Sequence, residues 1–362
     1  MSKPSIVLVT PVLSDMRNGN WQTAHRWASM LSPNYNVTLT AQWPDGAASS
    51  ISQRPGFHSA ASAQSPEPVA MLALHAFKSS ASIEAWSCMF PSRPLIVVLT
   101  GTDLYRDIES QPKARASLER ADYLVVLQEQ GLKALPRALQ SKARVVFQSC
   151  SQYKTLVKST TYLKAVMVGH LRDEKWPQTL FEAAHLLSPN DHIYIDHIGQ
   201  ALDSTLEHQA LSTALDCPHY QWLGGLSHKT TRQRIQHAHV LIHTSRMEGG
   251  AHAVMEAVRS GTPVLASRID GNLGMLGSDY FGYFEPGNAK ALTLMLRRCR
   301  EDQIKMHDEH IHQRGLLHQL SGQCSERSAL FEPQVEKAAL LALISEAITK
   351  NNPIDTCTTL RF

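Results

Sequence analysis

The stretch His239–Gly271, HVLIHTSRMEGGAHAVMEAVRSGTPVLASRIDG, carries the pattern from which the fold follows. Val240-Leu241-Ile242 is an apolar run long enough only for a buried strand. It breaks into a polar, glycine-containing loop from Thr244 to Gly250. A helical pattern follows, with Ala251, Val254, Met255 and Val258 on one face. Gly261 stands where a left-handed C-terminal cap is wanted, and Pro263 stops any continuation. Val264-Leu265-Ala266 is a second buried strand. Strand, loop, helix and strand in this order make one repeat of a parallel sheet.

Ligands of such sheets sit beyond the carboxyl ends of the strands. Both loops of the unit, Thr244 to Gly250 and Ser267 to Gly271, fall there. Gly249 and Gly250 allow close backbone approach, and the following helix turns its positive end to an anion. Glu248 and Glu256 add carboxylates, which suit a ligand bearing hydroxyls as well as phosphates. Taken alone, Glu256 shares the polar arc of the helix with His252 and Arg259 and reads as solvated surface.

The combination is more specific. Glu248, seven intervening residues and Glu256, with Gly-Gly after the first and Gly-Thr-Pro-Val at 261–264, resembles the donor-nucleotide motif of the family-four glycosyltransferases. That resemblance implies an α/β chain of the GT-B fold: two Rossmann-like doubly wound domains facing a cleft, with a C-terminal helix crossing back to the first. It implies that Glu248 touches the donor sugar and Glu256 holds the ribose, with Ser245, Gly249, Gly250 and Ala251 also at the donor.

At 362 residues the chain is long enough for two α/β domains. The expected boundaries are 1–160 for an acceptor domain, 161–330 for a nucleotide-sugar domain and 331–362 for the crossing helix and tail. Charged residues make up 19% and hydrophobic ones 43%, a globular balance. A net charge of +3 is too mild to argue for nucleic acid or a membrane surface. No apolar run approaches membrane length. The six cysteines are scattered without a C-x-x-C pair, which argues against zinc and for a reducing compartment. With no signal peptide at the N-terminus, the expectation is a cytoplasmic protein.

In the first half, Ser5–Thr10, Val37–Ala41, Val69–Leu74, Leu95–Leu99, Tyr123–Leu127 and Arg144–Phe147 read as strands. Trp43 to Pro68 lacks periodicity and reads as a surface loop. The first strand leads into Arg17-Asn18-Gly19-Asn20 and a helix with Trp21, Ala24, Trp27, Ala28 and Leu31 at helical spacing. Neither G-x-G-x-x-G nor G-x-x-x-x-G-K-[ST] is present there, which disfavours NAD and an ATPase phosphate loop. Strand ends deliver Arg17, His75, Lys78, Thr102 and Asp103 to one edge of the sheet. His75 reads equally as a core histidine and Asp103 as a helix cap.

In the second half, Ala165–Val168 leads into Gly169-His170-Leu171-Arg172-Asp173-Glu174-Lys175, with a helix from near Pro177. The family's loop there is Gly-Arg-Leu and then Lys, and its cations clamp the donor diphosphate. Lys175 lies close to the family lysine, while His170 stands in the arginine's place and Arg172 two residues on. The diphosphate roles therefore fall on Lys175 and Arg172, with Gly169 alongside. Ile193–Ile198 ends at Gly199, and Gln221–Leu223 leads into Gly224-Gly225-Leu226, where the family contacts the base. His307, His310 and His312 lie in a polar tract better read as an exposed helix than as a metal site. No D-x-D triplet occurs, so no metal is expected at the diphosphate.

Arg17-Asn18-Gly19-Asn20, Leu74-His75-Ala76 with Lys78-Ser79, Leu99 to Asp107 (LTGTDLYRD) and Ser245 to Gly250 (SRMEGG) narrow the match. Together they resemble the selenosugar synthases of selenoneine biosynthesis, over residues 5 to about 300. That resemblance implies UDP-N-acetylglucosamine or UDP-glucose as donor and selenophosphate as nucleophile, both as substrates, with no cofactor. The product is a 1-selenosugar, released with UDP and phosphate. Arg17, Asn18, Gly19, Asn20, His75, Lys78, Thr102 and Asp103 are then the acceptor side. Two other readings stand beside this one: an ordinary family-four transferase with a hydroxyl or thiol acceptor, and a silent nucleotide-sugar-binding module. A homo-oligomer is left open.

Overall fold

The computed structural model describes residues 3–12, 19–44, 67–305 and 315–351. Arg17, Asn18, most of the loop expected at Trp43 to Pro68, and His307, His310 and His312 lie outside these residues. The contacts divide the chain into a first unit, Met1–Gln148 with Gln334–Phe362, and a second, Ser149–Pro333.

The first unit carries β1 (Ser5–Val9), β2 (Asn36–Thr40), β3 (Ala70–Leu74), β4 (Leu95–Leu99), β5 (Tyr123–Val126) and β6 (Ala143–Val145). All pair in parallel, in the order β2-β1-β3-β4-β5-β6. Alternate side chains serve opposite faces, as the period of two requires. Ile6, Leu8, Leu72, Leu74, Ile96 and Val98 join one apolar cluster. Val7, Val9, Met71, Ala73, Val97 and Leu99 join the other. A sheet covered on both faces needs continuous apolar strands, which is why these runs lack polar interruptions.

Helix Gly19–Leu31 buries Ala24, Trp27, Ala28 and Leu31 in the first cluster. Helix Pro333–Asn351 adds Leu340, Leu343, Ile344 and Ala347 to the same cluster, so the last described helix belongs to the first unit. A buried carboxylate fixes it there: Glu336, fully buried, accepts from Arg26 Nε at 2.8 Å, Arg26 Nη2 at 3.0 Å and Trp27 Nε1 at 2.6 Å.

The second unit carries β7 (Leu163–Val168), β8 (Ile193–Ile198), β9 (Tyr220–Trp222), β10 (Val240–His243), β11 (Val264–Ser267) and β12 (Tyr283–Phe284). The order is β12-β11-β10-β7-β8-β9, again all parallel. Counted within the unit this is 6-5-4-1-2-3, the doubly wound Rossmann order, and its switch point falls between β7 and β10. In the first unit the switch point falls between β1 and β3.

The contact boundaries differ from those expected, at 148/149 rather than 160/161 and at 333/334 rather than 330/331. The extended segment after Gln148 is held by second-unit residues. Tyr153 N–H donates to Arg259 O at 3.0 Å, Lys158 Nζ to Thr262 Oγ1 at 3.1 Å, and Arg232 lies 4.2 Å over the Tyr153 ring. Among the described residues no helix is long and apolar enough to cross a membrane.

Candidate functional site

In the second unit the loops after β7 and β10 meet at the switch point. Lys175 ends a short 3-10 turn, Asp173–Lys175, and its Nζ pairs with Glu248 Oε1. The two side chains are 16% and 11% exposed, so the pair is largely withdrawn from water. Glu248 Oε1 also accepts from Ser245 Oγ at 2.7 Å, and His243 Nε2 lies 3.4 Å away. Burial pushes the Glu248 pKa up, but the Lys175 charge and the His243 hydrogen bond outweigh it and hold the carboxyl well below its ordinary range.

The surrounding loops are locked to one another. Thr244 Oγ1 donates to Lys175 O at 2.8 Å and Arg246 N–H to Glu174 O at 2.9 Å. Arg246 lies 3.7 Å over the Trp176 ring and pairs with Asp173 at 2.9 Å. Ser267 Oγ donates to Ser245 O at 2.5 Å, which ties the end of β11 to the loop after β10. A Cβ on Gly271 would lie 2.3 Å from Glu248 O, so only glycine lets the two loops touch here. A Cβ on Gly199 would lie 1.9 Å from Gly169 O, and the same close approach joins the loops after β7 and β8.

The helix after Gly250 is shorter than its apolar pattern implies, seven residues from His252 to Val258. Val254, Met255 and Val258 are buried as expected, and Gly261 takes φ +68° to end the turn. Glu256 is 5% exposed and Arg259 6%, so the solvated-surface reading of that arc does not hold. Each has a partner brought by topology: His228 Nε2 lies 2.6 Å from Glu256 Oε1, and Arg259 Nη1 lies 3.3 Å from Glu332 Oε1. His228 opens the helix after β9, so the Gly224–Leu226 turn and Glu256 lie close together. The Ala251 N–H points to Met275 Sδ at 3.1 Å.

Arg172 is not brought to the Lys175–Glu248 pair. It is exposed, with Nε 3.9 Å from Glu174 Oε2. His170 Nδ1 instead accepts the Gln200 N–H at 3.1 Å, an internal loop contact. A groove of about 810 Å³ between the helices Gln178–Leu186 and Ser204–Asp216 and the start of Ala289–Lys305 is lined by none of the residues expected at the donor.

In the first unit the candidates flank the other switch point. Gly19 and Asn20 open the helix after β1. His75 follows β3 with a left-handed φ of +70° and is 2% exposed. Its Nδ1 accepts the Lys78 N–H at 3.3 Å, so Nε2 carries the hydrogen and donates to Thr102 Oγ1 at 3.1 Å. Burial pulls its pKa down against the nearby Asp103 carboxylate. Asp103 is fully buried; Oδ1 accepts from Thr100 N at 2.8 Å and Gly101 N at 2.9 Å, and Oδ2 from Ala76 N at 2.9 Å. It fastens the loops after β3 and β4 to each other and caps no helix. Lys78 is exposed.

Sequence reasoning passed over His243, His228 and the Arg246–Trp176 stack. His243 left one usable signal, a histidine at the end of an apolar strand that leads into the site. The other two depend on loops distant in sequence.

A model described as Glycosyl transferases group 1 matches residues 152–314, within the second unit. No curated protein matches the sequence significantly. Among solved structures, sucrose-phosphate synthase from Thermosynechococcus elongatus has a TM-score of 0.73 at 15% identity, over 96% of this chain and all of that one. Anabaena HepE, in complex with UDP and glucose, has 0.69 at 17%, over 95% and 100%. S. aureus TarM, in complex with UDP among other ligands, has 0.59 at 13%; the match covers 76% of this chain and 55% of TarM. At these identities the likeness is one of fold. The chain has the GT-B fold, two Rossmann-like units of which the second carries the group 1 glycosyltransferase match.

Proposed function

We propose that this protein is a UDP-sugar-dependent glycosyltransferase, with the donor held by the second unit. The observation that carries the reading is the Lys175–Glu248 pair at the switch point between β7 and β10, with the buried Glu256 eight residues further on. A cation and an ionised carboxylate side by side match a ligand whose phosphates adjoin sugar hydroxyls. Lys175 would turn to the diphosphate and stabilise the charge that develops as the anomeric C–O bond breaks. Glu248 would accept hydrogen bonds from the hexose, and Glu256 from the ribose in exchange for His228. UDP is supported as the nucleotide by the UDP complexes of HepE and TarM.

For the acceptor we propose selenophosphate, on the first-unit motifs and on chemistry. Its selenium is already anionic and needs no base, and His75 offers none, since its Nδ1 lone pair is taken by the Lys78 amide. Selenium would attack the anomeric carbon while the bond electrons leave on UDP, and water would then split the Se–P bond to release phosphate. Lys78, Thr102 and the start of the Gly19 helix are the groups available to the phosphate end. A hydroxyl acceptor is the second reading, favoured by the likeness to sucrose-phosphate synthase.

The test is mass spectrometry of UDP-N-acetylglucosamine and UDP-glucose with the protein, with and without selenophosphate, in reducing buffer. A hexosyl mass bearing the selenium isotope pattern, formed together with UDP, supports the narrow reading. Turnover only with an alcohol or thiol supports the second. Donor left intact in every tube overturns the transferase reading and leaves a binding module.

A further inference from the structure

His243 is the last residue of β10 and is 2% exposed. Its Nε2 lies 3.4 Å from Glu248 Oε1 and 3.3 Å from Ser245 Oγ, and its Nδ1 is buried with no hydrogen-bond partner. These contacts settle its tautomer. Ser245 has one hydroxyl hydrogen and gives it to Glu248 at 2.7 Å, so it turns a lone pair to the imidazole. A carboxylate oxygen is likewise only an acceptor. Nε2 must therefore carry the hydrogen, and it faces both Ser245 Oγ and Glu248 Oε1.

We infer that His243 is a positioning residue of the donor site, holding the Glu248 carboxylate in place and ionised once Lys175 has turned to the diphosphate. The inference rests on the proposed transferase reading. Lys175 has a long stem and sits on a loop, so it is able to leave. Glu248 would then keep one hydroxyl donor in a buried setting, and burial by itself favours the protonated acid. A protonated Glu248 would lose acceptor capacity just where sugar hydroxyls need it. His243 is fixed to a central strand of the sheet, so its donor does not leave with Lys175. Ser245 and His243 together leave Glu248 with two protein donors and its outer lone pairs for the hexose.

The experiment compares His243→Leu, which fills the space without a donor, with His243→Gln, whose amide nitrogen reaches the position of Nε2. Calorimetry gives Kd for UDP, UDP-N-acetylglucosamine and UDP-glucose, and thermal melts show whether each variant folds. His243→Leu is expected to leave the UDP Kd within about twofold and to weaken the preferred UDP-sugar roughly 10- to 100-fold, the loss of a hydrogen bond to a charged group. His243→Gln is expected to recover most of that loss. Equal losses in both variants, or a UDP Kd that rises in step with the UDP-sugar Kd, would overturn the inference, since His243 would then only pack the loop. If His243→Leu does not fold, His243→Gln with wild-type-like binding supports the inference and His243→Gln with weakened sugar binding overturns it. A wild-type protein that binds neither UDP nor a UDP-sugar overturns the transferase reading itself.

Discussion

Replacing Lys175 by Met removes the ammonium and keeps most of its stem, which leaves Glu248 as an uncompensated carboxylate 11% exposed. Removing one partner of a fully buried pair costs about 3–5 kcal/mol; with Ser245 and His243 still in place and some solvent access, roughly 2–3 kcal/mol is expected here. Glu248→Gln leaves the lysine charge behind and should cost a similar amount. The double variant buries no charge, so its cost should fall short of the sum by at least about 1 kcal/mol. Urea denaturation followed by fluorescence suits the measurement, because Trp176 and Trp222 report on the second unit. The pH dependence has a definite sign. Burial raises the Glu248 pKa, yet Lys175 and His243 hold it below the ordinary 4.5. A carboxyl with a depressed folded pKa stabilises the fold above its unfolded pKa and loses that contribution as pH falls through the folded value. The gap between wild type and Lys175→Met should therefore be full at pH 7 and shrink as pH drops below about 4.5. Additive single costs, or a gap that ignores pH, would refute the pairing.

Glu336→Ala strands the Trp27 indole N–H in the core of the first unit and takes the carboxylate from Arg26, which is 20% exposed, so about 2–4 kcal/mol is expected, read as a lower urea midpoint. Glu336→Gln keeps an acceptor for Trp27 and should cost less; the reverse order would show that the hydrogen bond to Trp27 is unimportant there. Gly271→Ala forces a Cβ to within 2.3 Å of Glu248 O, so the loop must shift. Its expected effect is a rise of about tenfold or more in the UDP-sugar KM, since misplaced binding groups are costly; unchanged kinetics would show that Glu248 does not contact the donor. Lys78→Ala should raise the selenophosphate KM far more than the UDP-sugar KM, and equal rises would remove Lys78 from the acceptor side.

Much of the architecture was legible because its signals are local. A strand buried on both faces is a short, mainly apolar run; Leu95–Leu99 is bounded as read, and so is Ile193–Ile198 although it buries Asp196 and His197. Gly261 announced its left-handed turn for the same reason, with Pro263 two residues on. The placement of candidates at switch points followed from strand ends alone. Partners did not. Arg172 and Lys175 share one loop in sequence, and nothing local said that only Lys175 would reach Glu248. Glu256 on its own helix read as surface and only the wider motif pointed to a ligand; its burial and its His228 partner came from the fold. Asp103 looked like a helix cap or an acceptor group, and its oxygens instead bind amides of two loops.

The sequence by itself determined which segments become strands and helices, that the sheets are parallel and doubly wound, and that Glu248 and Glu256 stand eight residues apart beside a glycine turn. Those are consequences of hydrophobic period and backbone chemistry within a few residues. Tertiary structure alone decided the charge states and partners. Lys175 meets Glu248 across 73 residues of chain, His228 meets Glu256 across 28, and Asp103 meets Ala76 across 27. Each pairing exists because parallel strands deliver distant loops to one edge, where burial makes an unpaired charge expensive and so dictates which side chains must meet.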